Sequence, residues 1–185
     1  LHALDRHTGR LRWTYATEDR ILGGPNLSAG DPALVLVGSY DNRMHAVNAV
    51  SGAGVWTYET DNYLNGIPAV GDGVALAGGC DAKLHVVRLR DGVRTAAVEA
   101  GSYVAASPAV RGGRAYVGNY AGVVLCAEVA TGAVIWRFAP EGEPAFYASV
   151  AVTPTRVLAA GRNGILYCLA RDTGAELWRF QAGGG

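Results

Sequence analysis

The stretch LHALDRHTGRLRW, residues 1–13, opens a chain of 185 residues and returns along it in altered form. Every copy has an apolar strand-length run followed by a short turn with a glycine. These turn glycines are Gly9, Gly52, Gly92, Gly132 and Gly174, which stand 43, 40, 40 and 42 residues apart. A repeat period of roughly 20 to 50 residues indicates a repeat architecture in which each unit buries its faces against its neighbours.

Each period contains four short apolar pieces, which predicts four β-strands. The clearest set is residues 66–70, 73–78 and 84–87, followed by the strand after Gly92. The pieces are rich in Val, Leu, Tyr and Trp and are separated by glycine-containing turns, a composition typical of strands and tight hairpins. No window keeps the apolar spacing of a helix. Four strands per period of this length predict the blades of an all-β propeller.

The repeat boundaries divide the chain into four complete blades and one partial blade. The predicted ranges are 1–15 for the outer two strands of a preceding blade, 16–58, 59–98, 99–138 and 139–180 for the four blades, and 181–185 for a glycine-rich tail. An arc of this kind cannot cover its own end faces. We therefore expect either the remaining blades of a parent chain or another copy to cover them.

The overall composition argues against several classes of partner. Sixteen basic residues balance sixteen acidic ones without a run of like charge, so no footprint for nucleic acid is visible. No segment approaches the roughly 20 apolar residues of a membrane span, so direct membrane insertion is not predicted. Three widely spaced cysteines, Cys80, Cys126 and Cys168, fit neither a metal knuckle nor a disulfide framework, and we interpret them as free thiols.

Two repeated positions are interpreted as structural. A tryptophan follows four residues after the turn glycine in every copy except the third, where Ala96 replaces it, and each ring is expected to dock on the next blade. These docking residues are Trp13, Trp56, Trp136 and Trp178. A second position holds His2, His45 and His85, which are interpreted as packing residues because rotation between blades separates them too far for a metal site. An aromatic ligand cage is the alternative for the tryptophans.

The remaining aromatic residues are concentrated in two loop classes that should share one face of a propeller. These are the turns between second and third strands and the loops leading into first strands. With the polar residues beside them, they form a predicted protein- or peptide-binding surface. Its candidate members are Tyr40, Asp41, Asn62, Tyr63, Tyr103, Asn119, Tyr120, Phe146, Tyr147 and Arg162. The alternative is that several of these rings plug the funnel between blades.

The strand, Thr-Gly turn and tryptophan of residues 1–13 resemble the pyrroloquinoline-quinone-type, or quinoprotein-like, propeller repeat, and the resemblance extends over essentially the whole chain. It implies a ring of about seven or eight blades. The chain looks most similar to non-enzymatic members, including a propeller lipoprotein that assists outer-membrane β-barrel assembly. That likeness implies a scaffold in a bacterial envelope, with no catalytic residue, no metal and no cofactor.

Two alternative functions accompany this one. The first is a ligand-sensing propeller of a larger bacterial signalling protein. The second is a degenerate quinoprotein dehydrogenase. The signature of the enzymatic family includes adjacent cysteines over the quinone and a Ca²⁺ site of clustered oxygen ligands, and this sequence has no adjacent cysteines and only scattered acidic residues.

Overall fold

The computed structural model describes residues 1–182 and contains eighteen β-strands in that range. They form one two-stranded sheet and four four-stranded antiparallel sheets. The described residues contain no helix that could span a bilayer. The all-β propeller architecture predicted from the repeat is confirmed.

Each sheet follows chain order from its first to its fourth strand. The partial blade consists of β1 (His2–Leu4) and β2 (Leu11–Thr14). Blade 1 contains β3 (Asn26–Leu27), β4 (Leu34–Gly38), β5 (Arg43–Asn48) and β6 (Gly54–Glu59). Blade 2 contains β7 (Ala69–Gly71), β8 (Val74–Gly78), β9 (Lys83–Arg88) and β10 (Arg94–Glu99). Blade 3 contains β11 (Ala109–Arg111), β12 (Arg114–Gly118), β13 (Val124–Glu128) and β14 (Val134–Phe138). Blade 4 contains β15 (Ala151–Val152), β16 (Arg156–Ala160), β17 (Ile165–Ala170) and β18 (Glu176–Gln181).

The strands differ from the predicted blade ranges by single residues. Strands β6 and β10 each continue one residue further, to Glu59 and Glu99. Strand β18 enters the predicted tail, because Gln181 pairs with Ile165 on β17. Residues 183–185 of that tail lie outside the described part of the chain.

The first strands of the blades lie innermost in the arc. Strands β3, β7, β11 and β15 contact one another in succession, whereas each fourth strand pairs only with the third strand of its own blade. The buried core lies on the second strands, where Leu36 and Leu76 are fully buried, and on the third strands, where Leu125 is fully buried. Facing blades share the resulting hydrophobic clusters.

Three of the tryptophans that follow a turn glycine dock on the following blade, whereas Trp178, predicted to do the same, is 41% exposed and has no such contact within residues 1–182. The indole Nε1 donates to the carbonyl three residues before the next turn glycine. The donor and acceptor pairs are Trp13 with Ala49 at 3.1 Å, Trp56 with Leu89 at 2.8 Å and Trp136 with Arg171 at 2.9 Å.

The turn glycine is required at this contact for two reasons. Gly52 has a φ of 76°, a conformation that side chains with a Cβ disfavour. In addition, a Cβ on Gly52 would lie 2.6 Å from the ring of Trp13. The glycine thus shapes the hairpin and leaves room for the indole of the preceding blade.

Blades 2 and 3 meet without a tryptophan. At Gly132, the atom nearest to an added Cβ is the backbone oxygen of Ala97, at 2.4 Å, so the strand itself comes close. Val98 and Leu125 are fully buried in the apolar cluster that these two blades share. A closer approach of the backbone therefore replaces the indole that Ala96 lacks.

At both ends of the described arc, surfaces that are buried between blades elsewhere are exposed. Trp178 is 41% exposed, although the equivalent Trp136 is 8% exposed. Leu4 is 59% exposed, whereas Val47 and Val87 at the same repeat position are fully buried. Within residues 1–182 the arc leaves apolar surface at both end faces.

Candidate functional site

The predicted loop face is built by one backbone contact that recurs in each complete blade. A residue in the turn between second and third strands donates its N–H to a carbonyl in the loop leading into the first strand. The pairs are Tyr40 with Arg20 at 3.0 Å, Cys80 with Tyr63 at 3.0 Å, Tyr120 with Tyr103 at 2.9 Å and Arg162 with Ala145 at 3.0 Å. The two loop classes therefore meet on one face, and hydrogen bonds fix the backbone that carries these side chains.

Tyr40 and Tyr63 form the first aromatic cluster on this face. Their rings are stacked, with centroids 4.6 Å apart and an interplanar angle of 7°. The Arg20 guanidinium lies 4.6 Å from the centre of the Tyr40 ring, within the range of a cation–π contact. Tyr63 remains 44% exposed, so a broad part of its surface is available to a partner.

Tyr103, Tyr120 and Tyr147 form the second cluster, which spans blades 3 and 4. Tyr120 lies edge-on to Tyr103, with centroids 6.3 Å apart, and to Tyr147, with centroids 5.4 Å apart. The Arg162 guanidinium lies 5.4 Å from the centre of the Tyr147 ring. Tyr103 is 56% exposed and Tyr120 is 52% exposed. We call the two clusters together the tyrosine rim, whose members are Arg20, Tyr40, Tyr63, Tyr103, Tyr120, Tyr147 and Arg162.

Cys80 occupies the turn position of blade 2 that is Tyr40 in blade 1 and Tyr120 in blade 3. It is half-buried, and the Asn65 side-chain amide donates to its sulfur at 3.1 Å. Burial raises the pKa of the Cys80 thiol above its ordinary value of 9.0. Because the thiolate is the nucleophile, this environment disfavours nucleophilic reaction at Cys80.

Three predicted rim residues lie in the interior, which corrects their assignment as partner-binding residues. The Asp41 side chain is 3% exposed and bonds to His45 Nε2 at 2.9 Å. Asn119 is 1% exposed, donates to the Ala100 carbonyl at 2.8 Å and accepts from the Val123 N–H at 2.9 Å. These polar groups satisfy buried backbone and side-chain partners and cannot reach a ligand in this conformation.

Phe146 is the third of these corrections. It is 1% exposed and packs edge-on against Tyr167 at 5.9 Å between ring centroids. This ring fills the core between blades, which is the alternative considered for the loop aromatics in the sequence analysis. Asn62 is half-buried, and its side-chain oxygen accepts from the Tyr63 N–H at 2.8 Å, which shapes the loop beneath the rim.

A buried relay of tyrosine, histidine and aspartate joins consecutive blades, and the sequence interpretation missed it. Tyr58 Oη lies 3.0 Å from His85 Nδ1, and His85 Nε2 lies 2.9 Å from the Asp81 carboxylate. Tyr15, His45 and Asp41 repeat the arrangement one blade earlier, with a tyrosine-to-histidine distance of 3.0 Å. The sequence contains the signal for this relay: Asp-x-x-x-His occurs in two blades, and in each case the preceding blade has a tyrosine two residues after its tryptophan.

This relay contains the groups of a proton-transfer site, but its position is structural. The His85 and Asp81 side chains are 2% and 5% exposed, so a substrate cannot contact them. Within residues 1–182, no group of three or more His, Cys, Asp or Glu side chains is arranged to hold a metal ion. His45 and His85 fill buried packing positions and their ring nitrogens are hydrogen-bonded, whereas His2 at the same repeat position is exposed, which corrects its interpretation as a packing residue.

Comparison with known sequences identifies one matching family. The model described as outer membrane protein assembly factor BamB matches residues 1–137 and 122–185, which together span the chain. No curated protein sequence matches it.

Several solved structures share the fold at low sequence identity. BamB from Moraxella catarrhalis has a TM-score of 0.65 at 15% identity, over 93% of this chain and 68% of that chain. A chain of the mitotic checkpoint complex has a TM-score of 0.83 at 16% identity, over 98% of this chain and 58% of that one. Quinohemoprotein alcohol dehydrogenase from Comamonas testosteroni has a TM-score of 0.74 at 16% identity, over 88% of this chain and 35% of that one. At these identities the likeness shows the propeller fold alone.

Proposed function

The chain belongs to the family of the outer membrane protein assembly factor BamB, and from that premise we propose that it is a non-catalytic scaffold whose tyrosine rim binds a protein or peptide. The observation that carries the proposal is a set of tyrosines exposed on one face and held there by a repeated backbone contact. The family name suggests a partner class, namely an outer membrane protein during assembly in a bacterial envelope.

The chemistry of the rim supports this role. Tyrosine and arginine are enriched at the residues that contribute most to protein interfaces. Tyrosine provides a large contact area at a small cost in side-chain entropy, and arginine provides several hydrogen-bond donors. Stacking of Tyr40 on Tyr63 and edge contacts around Tyr120 restrict the side-chain conformations of these rings before a partner binds. A rim that is ordered in advance loses less entropy on binding.

The test measures binding to a defined peptide probe. Transmembrane β-strands of outer membrane proteins alternate apolar and polar residues over about ten residues. A synthetic ten-residue peptide that alternates Tyr or Leu with Ser or Thr would be titrated by calorimetry into the chain. A second peptide of identical composition, with the apolar residues in one block, controls for general hydrophobic binding.

The decisive variant is Tyr63→Ala with Tyr120→Ala. Loss of two interface residues of this kind should weaken binding of the alternating peptide by about 30-fold or more. The matched control is Ile135→Ala with Leu177→Ala, because these side chains are 44% and 52% exposed, the same values as Tyr63 and Tyr120. Both double variants should keep the wild-type free energy of unfolding to within about 1 kcal/mol.

Two results would count against the proposal. If the alternating peptide does not bind the wild-type chain, or binds both double variants equally, the rim is not its site. If the tyrosine variant instead loses several kcal/mol of stability, about the cost of an emptied core site, the rings stabilise the blades and the interaction surface lies elsewhere.

A further inference from the structure

A cleft of about 640 Å³ lies between blades 1 and 2 on the face opposite the tyrosine rim. Its walls come from the connection between β3 and β4, from β6 and from the turns of blade 2. The lining residues used below are Asp31, Leu34, Val55, Arg88, Leu89 and Arg90. Its volume falls in the range of about 300 to 1,000 Å³ that small-molecule sites occupy.

The cleft exists because blade 1 departs from the repeat. Six residues, 28–33, connect β3 to β4, whereas only residues 72–73 connect β7 to β8 and residues 112–113 connect β11 to β12. The additional residues of blade 1 form the wall of the cleft. In repeat proteins, insertions confined to one unit commonly provide a binding face.

Both ends of this connection are hydrogen-bonded, so it forms a fixed wall. Ser28 is buried, its hydroxyl oxygen accepts from the Leu34 N–H at 2.8 Å, and its own N–H donates to the Leu34 carbonyl at 2.8 Å. At the other end, the Ala33 carbonyl accepts from the Ala49 N–H at 2.9 Å. The cleft is therefore largely formed before any ligand binds.

The two basic side chains that line the cleft, Arg88 and Arg90, both lie on the wall of blade 2. Arg88 and Arg90 share one carboxylate, since Asp91 lies 2.8 Å from Arg88 Nη2 and 3.1 Å from Arg90 Nε. Within the described residues, neither terminal nitrogen of Arg90 has a hydrogen-bond partner, so the four N–H donors on these nitrogens are free. Asp31 on the opposite wall is the one acidic side chain that lines the cleft.

From these observations we propose that the cleft binds a small amphipathic organic anion, with its apolar body against Leu34, Val55 and Leu89 and its carboxylate or sulfonate at Arg90. Apolar lining with a few convergent polar groups is the usual composition of such sites. The guanidinium is suited to oxyanions because its donors are planar and paired. This site is separate from the tyrosine rim and does not depend on the rim's function.

The experiment uses 8-anilinonaphthalene-1-sulfonate, an apolar aromatic body with one sulfonate, titrated into the full chain and followed by fluorescence. Arg90→Ala should weaken binding about two- to fivefold, the range expected for an exposed charge pair. Arg111→Ala is the matched control, because Arg111 is exposed on the edge of blade 3 outside the cleft. It should leave the affinity unchanged.

Two further variants test the position and charge of the site. Val55→Trp places an indole in the cleft from a position that is 47% exposed, so folding should be retained while saturable binding is lost. Asp31→Asn should strengthen binding about two-fold, since it removes a like charge from the opposite wall. Unfolding curves of each variant confirm that the fold is intact.

The main competing site for this dye is the exposed edge of blade 4. Trp178→Ala with Phe180→Ala removes apolar side chains that are 41% and 61% exposed there and should leave the saturable binding in place. The proposal is overturned if this edge variant abolishes binding, or if Arg90→Ala and Val55→Trp bind as the wild type does. Binding by the Tyr63 and Tyr120 double variant should be unchanged, which separates this result from any failure of the rim.

Discussion

The joint between blades 1 and 2 and the joint between blades 2 and 3 solve the same packing problem with different chemistry. The first has Trp56 on the turn of blade 2 and a buried relay of Tyr58, His85 and Asp81. The second has Val98 and Leu125 at the equivalent positions of Tyr58 and His85, within one apolar cluster. We call these the polar joint and the apolar joint.

The comparison shows that the two joints differ in polarity, and that a larger residue on the third strand offsets only part of the missing indole. On the third strands, a small residue pairs with each tryptophan, as Ala46 does with Trp56, whereas the larger Val86 pairs with Ala96. In the polar joint, hydrogen bonds fix one orientation of the side chains. The apolar joint is stabilised by the packing of apolar side chains alone. Because these side chains are smaller, the backbones of the two blades approach more closely.

The largest expected effect is at the tryptophan of the polar joint. Trp56→Ala removes a docked indole and its hydrogen bond, so the free energy of unfolding should fall by about 3–5 kcal/mol in a denaturant titration. Trp178→Ala is the control, since that ring is 41% exposed and docks on no other blade within residues 1–182, and it should cost less than about 1 kcal/mol. Equal losses would mean that docking on the next blade contributes little.

The next effect tests the relay itself. Asp81→Ala leaves His85 buried with one ring nitrogen unpaired and should cost about 1.5–3 kcal/mol. Replacing the whole relay with the residues of the apolar joint, Tyr58→Val, Asp81→Ala and His85→Leu, should cost less than Asp81→Ala alone, because the His85 ring is then no longer buried without a partner for Nε2. If the triple variant is the less stable of the two, the relay stabilises this joint more than apolar side chains at the same positions do.

The reverse exchange tests the apolar joint. Ala96→Trp adds an indole where Ala97 already approaches Gly132, so overpacking should cost about 1–3 kcal/mol by chemical denaturation. Combining it with Val86→Ala restores the small partner found beside the other tryptophans and should recover part of that loss. A stabilising Ala96→Trp would show that the apolar joint has room for the missing ring.

The smallest effect is the pH dependence of the polar joint. Burial lowers the pKa of His85 below its ordinary value of 6.5, although the Asp81 carboxylate opposes that shift. The unfolded chain then binds the proton more readily, so stability falls as the pH drops below about 6.5, by no more than about 1.4 kcal/mol per pH unit. Denaturation at pH 7.5 and 5.5 measures this loss, which should be smaller in the triple variant that lacks His85.

Much of the architecture could be predicted from local pattern. Strand composition, the turn glycines and the spacing of Trp13, Trp56 and Trp136 identify blades, because a hairpin depends on residues within one repeat and the tryptophan recurs at a fixed distance from each turn glycine. The location of the tyrosine rim followed from the same register. The structure confirmed the propeller, and Tyr63, Tyr103 and Tyr120 lie exposed on one face.

The environment of individual side chains was decided by tertiary structure. Asp41 and Asn119 belong to turns that carry the tyrosine rim, yet their side chains lie in the interior, where they hydrogen-bond to His45 and to the Ala100 carbonyl respectively. The partner that covers a side chain is contributed by another strand or by the next blade, about 30 to 40 residues away for Trp56 and Leu89 or Tyr15 and His45. A local pattern therefore predicts that a strand or turn forms, whereas burial, relay pairing and the cleft beside Val55 depend on how neighbouring blades meet.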